Sequence, residues 1–323
     1  MQVNHLLSIV IPTYNRADLL DYCLEVHIPF AREHNIQIFI SDNASTDATE
    51  MIVKNRMKEY PLIQYYRNET NVGPDENFER ALKYPQTDYV WLLGDSYKIP
   101  SEGIDYLLNL IADSKQKYDA IVFNLADRIT DIDTQDFTNS NSLLCSLGAL
   151  MTCLSCLVFN KELINNADFA RYRNSYFIQT GIIFETIVRQ PFSIHWAQSI
   201  SVNGLEYSIF KKKGWWETSN VFEIAGSKWV NFVFSLPVSY DLDNKLKCLL
   251  DFTKVSGGIF SFGHLLALRF ENILNYKTYN KYSSRFSLTA SCPKYIILLI
   301  VLLPRGVWRI LRTIKRLAKG FSL

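Results

Sequence analysis

Glu271 is the last acidic residue of this chain. Beyond it there is no Asp or Glu, while ten Lys or Arg follow: Lys277, Lys281, Arg285, Lys294, Arg305, Arg309, Arg312, Lys315, Arg316 and Lys319. Ten of the 34 basic residues lie there, so the first 271 residues carry 24 basic against 32 acidic, a net charge of −8. An acidic body lacks the basic face that nucleic acid requires, and its basic tail suits an anionic membrane surface. Long apolar runs are missing too. No segment reaches the roughly 18 apolar residues that span a bilayer. The longest, Tyr295 to Leu303, stops at Pro304 and Arg305. The run Leu6 to Ile11 is too short for a signal peptide and has no basic leader. Cysteine is sparse: six are scattered, and Cys153-x-x-Cys156 is the one close pair. No second Cys/His pair follows at zinc-site spacing, which leaves reduced core thiols in a reducing cytosol. The Gly-x-Gly-x-x-Gly turn is also absent. Pro12-Thr13-Tyr14-Asn15-Arg16 follows the first strand, which excludes a dinucleotide-dependent dehydrogenase. There is no internal repeat and no low-complexity tract.

What is present is a core. The 323 residues are 48% hydrophobic, enough for one sizeable core plus an appendage. Short β-branched runs alternate with helical periodicity. Strands are expected at Leu7–Ile11, Ile36–Ser41, Leu62–Tyr66, Asp88–Leu93 and Ala120–Asn124. Helices are expected from Ala17 to about His34, interrupted near Pro29, and from Thr46, as N-cap, to about Tyr60. Further helices are expected from Pro74 to about Tyr84 and over Ser101–Ser114. This alternation predicts an α/β fold with a mostly parallel sheet covered on both faces. Residues 127 to 142 read as a loop. Beyond 143 the pattern is mixed, then helical over Asn220–Phe234, Asn244–Thr253 and His264–Asn275. Three strands end in polar groups, at Thr13 to Arg16, Asp42 to Asp47 and Gly94-Asp95. In an open parallel sheet that edge is where ligands bind.

Four segments carry a resemblance. Ser8-Ile9-Val10-Ile11-Pro12-Thr13-Tyr14-Asn15-Arg16 is the first, and Ser41-Asp42-Asn43-Ala44-Ser45-Thr46-Asp47 the second. Asn71-Val72-Gly73-Pro74-Asp75-Glu76-Asn77-Phe78 and Trp91-Leu92-Leu93-Gly94-Asp95 complete the set. Their order resembles the signature of family 2 nucleotide-sugar glycosyltransferases. The Gly-Pro-Asp-x-Asn-Phe form is similar to bacterial abequosyl- and rhamnosyltransferase-like enzymes of surface-polysaccharide assembly. The resemblance is strong over residues 6 to about 125 and loose beyond.

The resemblance implies a Rossmann-like nucleotide-sugar transferase domain (GT-A type) with a helical C-terminal region. Its expected parts are a nucleotide-sugar-binding half (1–125), an acceptor-binding half (126–218), a helical region (219–290) and a basic amphipathic tail (291–323). Pro12, Thr13 and Tyr14 would shape the loop over the base, and Asn15 would fix it. Asp42, beside Asn43, would accept a hydrogen bond from base or ribose; capping its own turn is the competing use. Asn71 and Gly73 would flank the base. Asp95 would be the first carboxylate of an Asp-x-Asp motif, near ribose and metal.

The family's second carboxylate is replaced by Tyr97. A phenol is a poor ligand for Mn²⁺ or Mg²⁺ at neutral pH. Three readings follow: metal held through Asp95 alone, a cationic side chain such as Lys98 in its place, or lost turnover. Among family members that invert, a carboxylate acts as general base in the acceptor half. Glu185 is the candidate here, with Asp168 and Glu206 as rivals. His195 and Trp196 read as packing. Lys211-Lys212-Lys213-Gly214-Trp215-Trp216 sets cations beside aromatics, suited to a phosphate-linked acceptor or to a solvated turn.

In the tail, Val307, Ile310, Leu311, Ile314, Leu317, Ala318 and Phe321 share one helical stripe, with six cations opposite. That is the pattern of an interfacial helix. The expected activity is transfer of a sugar from a nucleoside-diphosphate donor to a lipid-linked saccharide acceptor, in O-antigen or capsule assembly. The protein would be peripheral, on the cytoplasmic face of the membrane. The alternative is a non-catalytic nucleotide-binding partner of an active transferase.

Overall fold

The computed structural model describes residues 3–112, 117–206, 214–304 and 306–307. The first strand, β1 (Leu7–Thr13), is buried at every position. A strand apolar on both faces needs paired neighbours and helical cover. It pairs in parallel with β2 (Gln37–Asp42) on one side and β4 (Tyr89–Leu92) on the other. β3 (Ile63–Arg67) continues the parallel sheet beyond β2. The other strands are β5 (Tyr97–Lys98), β6 (Ala120–Leu125), β7 (Gln135–Phe137), β8 (Leu157–Asn160) and β9 (Ile194–Gly204). The order across the sheet is β3-β2-β1-β4-β8-β6-β9-β5, with β7 also on β9. Past β4 the sheet is mixed. β8 runs antiparallel between β4 and β6, and β9 lies parallel to β6.

Helices α1 (Ala17–Glu33), α2 (Thr49–Glu59), α3 (Pro74–Lys83) and α4 (Ser101–Ala112) join the first strands. α5 (Ser140–Leu147), α6 (Lys161–Asn166) and α7 (Ile178–Thr186) follow. Three local expectations are corrected. α1 runs unbroken through Pro29. Pro29 lies on the exposed face, where water can satisfy the carbonyl it leaves without a donor. Thr46 does not cap α2. Its amide and hydroxyl turn to Asn15 Oδ1, and the helix starts three residues later. The supposed loop 127–142 holds β7 and the start of α5, whose N-cap Asn139 accepts from the Ser142 amide at 2.9 Å.

The chain divides into two units. Met1–Lys211 with Ser235–Lys245 contains the whole sheet. Lys212–Phe234 with Leu246–Leu323 is helical in its described part. A π-helix at Phe222–Lys228 leads into α8 (Trp229–Ser235), followed by α9 (Leu242–Val255), α10 (Phe262–Phe270), α11 (Tyr276–Thr289) and α12 (Lys294–Leu302). Phe222, Phe260 and Phe286 pack together there, the last two edge to face at 5.5 Å. The basic stripe beyond Val307 and the Lys211–Lys213 run lie outside the described residues.

His27 ties α1 to the segment after β5. The Ile99 amide donates to His27 Nε2 at 3.1 Å, so Nδ1 carries the proton and donates to the Cys23 carbonyl at 2.7 Å. Burial pulls the His27 pKa from 6.5 to about 4; the Cys23 carbonyl opposes this and the charge of Lys98 adds to it. The neutral ring is therefore the native form. Its stability contribution is complete above pH 6.5 and is lost as pH falls toward about 4, because the unfolded chain takes up the proton first. The full effect is about 3 kcal/mol. Urea unfolding over that window should show the loss, and His27→Gln should reduce the slope. An unchanged slope in the variant would remove His27 from this role.

Candidate functional site

Asp42 ends β2 with no exposure. Its Oδ1 accepts from the Ser45 amide at 2.8 Å, so it does cap the turn that follows. Its Oδ2 accepts from the Tyr65 hydroxyl at 2.6 Å. Burial and that carboxylate push the Tyr65 phenol well above its ordinary range, which keeps it a donor. Arg67 Nε also lies 3.7 Å from Oδ2.

Asn43 is the next hub. Its Nδ2 donates to Asn71 Oδ1 at 2.9 Å and to the Gly73 carbonyl at 3.2 Å. Its Oδ1 accepts from the Val72 amide and from Asn68 Nδ2. Its own amide donates to the Thr13 carbonyl at 3.0 Å. One side chain thus holds the loop after β3 against the ends of β1 and β2. Gly73 has φ of +85°, in the left-handed half of φ/ψ space, where glycine carries no Cβ penalty. α3 begins at once with Pro74. Asn77 fixes that helix to β2: Ser41 Oγ donates to its Oδ1 at 2.9 Å, and its Nδ2 donates to the Ser41 carbonyl at 3.0 Å.

The loop after β1 is bent at Asn15, which has φ of +52°. Asn15 Oδ1 accepts from the Thr46 amide at 2.8 Å, and its own amide donates to Ser45 Oγ at 2.9 Å. Pro12 is buried in β1 opposite Ser41, Thr13 is buried opposite Asp42, and Tyr14 is 43% exposed. Asn15 therefore braces the loop after β1 against the turn after β2.

Asp95 lies just past β4 and is nearly buried. Its Oδ2 accepts from Thr13 Oγ1 at 3.1 Å, and its Oδ1 lies 2.7 Å from Arg16 Nη1. Burial pushes its carboxyl above the usual range, while Arg16 and Thr13 pull it back. Gly94 and Ser155 fix this turn: the Gly94 amide donates to Ser155 Oγ at 2.9 Å. The structure thus brings Thr13, Arg16, Asp42, Asn43, Asn71 and Asp95 to the carboxyl ends of adjacent parallel strands and the loop after β3. Sequence reading quoted Arg16 without giving it a role. A cation ending the first strand's motif was the available signal.

The donor set for an implied divalent cation does not fit. Both Asp95 oxygens are engaged by protein donors. Tyr97 is a phenol beside the Cys153 sulfur, held well above its ordinary pKa by that neighbour and by burial. Among the described residues no cluster of three His, Cys, Asp or Glu could hold a metal ion. Lys98 sits exposed in β5, opposite Asn203. A groove of about 310 Å³ beside β3, lined by Arg67, Val72 and Arg80, includes none of Thr13, Arg16 or Asp95.

Glu185 does not have the setting of a general base. It is buried, 3.2 Å from Arg171 Nε and 2.7 Å from Arg189, and it accepts from the Tyr172 hydroxyl at 2.9 Å. Both of its carboxylate oxygens are thus engaged by protein donors. Asp168 is exposed and accepts from the Arg171 amide. Glu206 is exposed and follows residues bound to the Asp95 turn: Leu205 donates to the Ser96 carbonyl at 2.9 Å, and Gly204 pairs with Tyr97. His195, expected only to pack, lies at the opposite end of β9. It contacts Asp136 Oδ1 through Nδ1 and the Tyr106 hydroxyl through Nε2, each at 2.6 Å. Trp215 and Trp216 pack edge to face at 6.0 Å.

Residues 8–140 match the family model described as glycosyl transferase family 2. Abequosyltransferase RfbV of Salmonella typhimurium is 28% identical over 232 residues, 65% of this chain and 69% of that protein. A GalNAc(5)-diNAcBac-PP-undecaprenol beta-1,3-glucosyltransferase of Campylobacter jejuni is 29% identical over 103 residues, 32% of this chain and 33% of that one. Among solved structures, mannosyltransferase PcManGT of Pyrobaculum calidifontis, in complex with GDP-Man and Mn²⁺, aligns with TM-score 0.52 and 14% identity. That alignment covers 91% of this chain and 78% of the other. S. aureus TarS 1-349 with UDP-GlcNAc aligns with TM-score 0.50 and 13% identity, over 88% and 84%. At these identities the likeness speaks for the fold, and the expected GT-A-type architecture holds.

Proposed function

We propose, from the match of residues 8–140 to the glycosyl transferase family 2 model, that the chain is a glycosyltransferase. It moves one sugar from a nucleoside-diphosphate donor to a hydroxyl of a lipid-linked saccharide, in assembly of a bacterial surface polysaccharide such as O-antigen. One observation carries this reading. Thr13, Asp42, Asn43, Asn71 and Asp95 gather at the strand ends where an open parallel sheet binds ligands. The likeness to abequosyltransferase RfbV supports the substrate class.

In this reading Pro12, Thr13 and Tyr14 cover the base, and Asn15 holds their loop. Asp42 receives a hydrogen bond from base or ribose, with Asn43 keeping Asn71 and Gly73 alongside. Asp95 orders the turn beside the diphosphate. The acceptor hydroxyl attacks the anomeric carbon, the carbon–oxygen bond to the diphosphate breaks, and the hydroxyl proton passes to a base. That path inverts the anomeric centre. We assign the proton to Glu206, since its neighbours are bonded to the Asp95 turn and it is exposed, whereas Glu185 is held by two arginines. Residues 1–125 form the donor half and 126–218 the acceptor half. The basic stripe of the tail, with its apolar face, holds the protein on the cytoplasmic side of the membrane. Among the described residues no helix is long and apolar enough to cross one.

Three measurements test this. Calorimetry with UDP, GDP, CDP and dTDP should find one that binds, and Asp42→Ala should weaken it by roughly 1–3 kcal/mol. Silence from all four at millimolar concentration defeats the donor reading. Glu206→Gln should leave donor affinity intact and cut transfer by about 10²- to 10⁴-fold; undiminished transfer returns the base role to another group. A chain ending at Leu303 should bind nucleotide normally and co-sediment less with anionic vesicles. High salt should release the full-length protein, since the attraction is screened within a Debye length of about 8–10 Å. Undiminished pelleting of the shortened chain would rule out the membrane role of the tail.

A further inference from the structure

We propose that Arg16 supplies the positive charge that neutralises the donor diphosphate, in the place a divalent cation would take. This rests on the nucleoside-diphosphate reading above. Arg16 leaves the end of β1, and its Nη1 is 2.7 Å from Asp95 Oδ1. The two members of this pair differ in exposure: the Arg16 side chain is 44% exposed and that of Asp95 6%. The strand edge therefore presents the guanidinium outward, with the carboxylate beneath it.

The carboxylate is committed to protein donors. Thr13 Oγ1 occupies its second oxygen at 3.1 Å. A cation bound at Asp95 would have to displace Arg16 and then find further hard oxygen ligands. The position two residues on offers only the phenol of Tyr97, which faces the Cys153 sulfur. Mg²⁺ and Mn²⁺ prefer several oxygen ligands in regular geometry, and one carboxylate already ion-paired does not provide them.

The guanidinium suits the task. It is planar, permanently charged, and its fork of N–H donors matches two oxygens of a phosphate. Asp95 orients that fork from below, so it acts as a positioning residue. As the sugar–oxygen bond breaks, negative charge grows on the leaving diphosphate, and a fixed cation stabilises it with no metal to recruit. Lys98, the cation singled out from sequence, is a point charge exposed in β5 and is not bonded to Asp95.

The test uses the full-length protein and calorimetry with whichever of UDP, GDP, CDP or dTDP binds best, beside its nucleoside. Each titration is run in EDTA and in millimolar Mn²⁺. Wild type should bind the diphosphate about equally well in both. Arg16→Gln should lose about 10- to 100-fold in affinity for the diphosphate and little for the nucleoside. Arg16→Lys should retain part of it. In Arg16→Gln, Mn²⁺ should now strengthen diphosphate binding, because Asp95 has been released. Diphosphate binding by wild type that requires Mn²⁺ overturns the proposal. So does an Arg16→Gln protein that loses nucleoside and diphosphate affinity alike. If Arg16→Gln does not fold, the wild-type metal comparison and Arg16→Lys decide the matter. Failure of every nucleotide to bind wild type, with or without Mn²⁺, defeats the donor reading itself and this inference with it.

Discussion

Two consecutive side chains at the end of β2 hold the candidate site together. Asp42 closes its own turn through the Ser45 amide and anchors Tyr65 of β3. Asn43 spans the gap to Asn68, Asn71, Val72 and Gly73. The loop after β1 depends on the same pair: Ser45 Oγ receives the Asn15 amide, and Thr46 donates to Asn15 Oδ1. Three loops with no regular structure of their own are thus cross-linked by short polar side chains. Such a buried network is rigid when every member is satisfied and weak when one is missing. Its members sit where a β2 one residue out of register would place them facing the wrong layer. The parallel pairing of Thr13 with Asp42 is accordingly a condition of the site.

The Asp95 turn is held from the other direction. Leu93 donates to the Val10 carbonyl, which continues the β1–β4 pairing past the strand. Ser155, just before β8, receives the Gly94 amide, and its carbonyl accepts from Trp91 Nε1. His27 then takes the Ile99 amide from α1. The mixed half of the sheet therefore clamps a turn that belongs to the parallel half. A Cβ on Gly94 would come within 3.3 Å of the Leu154, Ser155 and Tyr97 side chains, which would have to yield by a few tenths of an ångström.

The N-terminal half was legible because parallel strands buried on both faces read as continuous apolar runs. β1, β2, β4 and β6 lie within two residues of their expected bounds. β9 was not legible. Its first four positions are buried and the remainder follow no clean period, and its pairing with β6 shifts register between Phe123 and Asn124. β7 is three residues in a polar stretch, visible only through its pairing with β9. α12 is apolar almost throughout, so helical periodicity left no mark on it. In the site, residue types were readable and partners were not. Asp42, Asn43 and Gly94 stand in motifs, but Tyr65, Asn68 and Ser155 reach them from elsewhere in the chain. For Glu185, position in sequence says nothing of Arg171, Arg189 and Tyr172, which enclose it.

Glu185 also shows why the Arg16–Asp95 pair is informative. The same device occurs four times among the described residues of this unit. Glu79 is buried under Lys83 and Arg173, Glu185 under Arg171 and Arg189, Asp42 beneath Arg67, and Asp95 under Arg16. In each, an acid with about a tenth or less of its side chain exposed is paired with cations that are roughly half exposed. A buried carboxylate needs such a partner, because an unpaired one would bear the full cost of desolvation. Ion pairing alone therefore assigns no function. What separates the last two cases is topology. Glu79 lies on α3 and Glu185 on α7, whereas Asp42 and Arg67 end adjacent parallel strands, and Asp95 and Arg16 follow the carboxyl ends of another such pair. Of these two, the Arg16–Asp95 pair is the close one, 2.7 Å against 3.7 Å. There the exposed member faces the edge where such a sheet binds its ligands. The first 271 residues are net acidic, so the exposed guanidiniums of Arg16 and Arg67 at that edge are local exceptions in sign. An anionic diphosphate would find its attraction concentrated there.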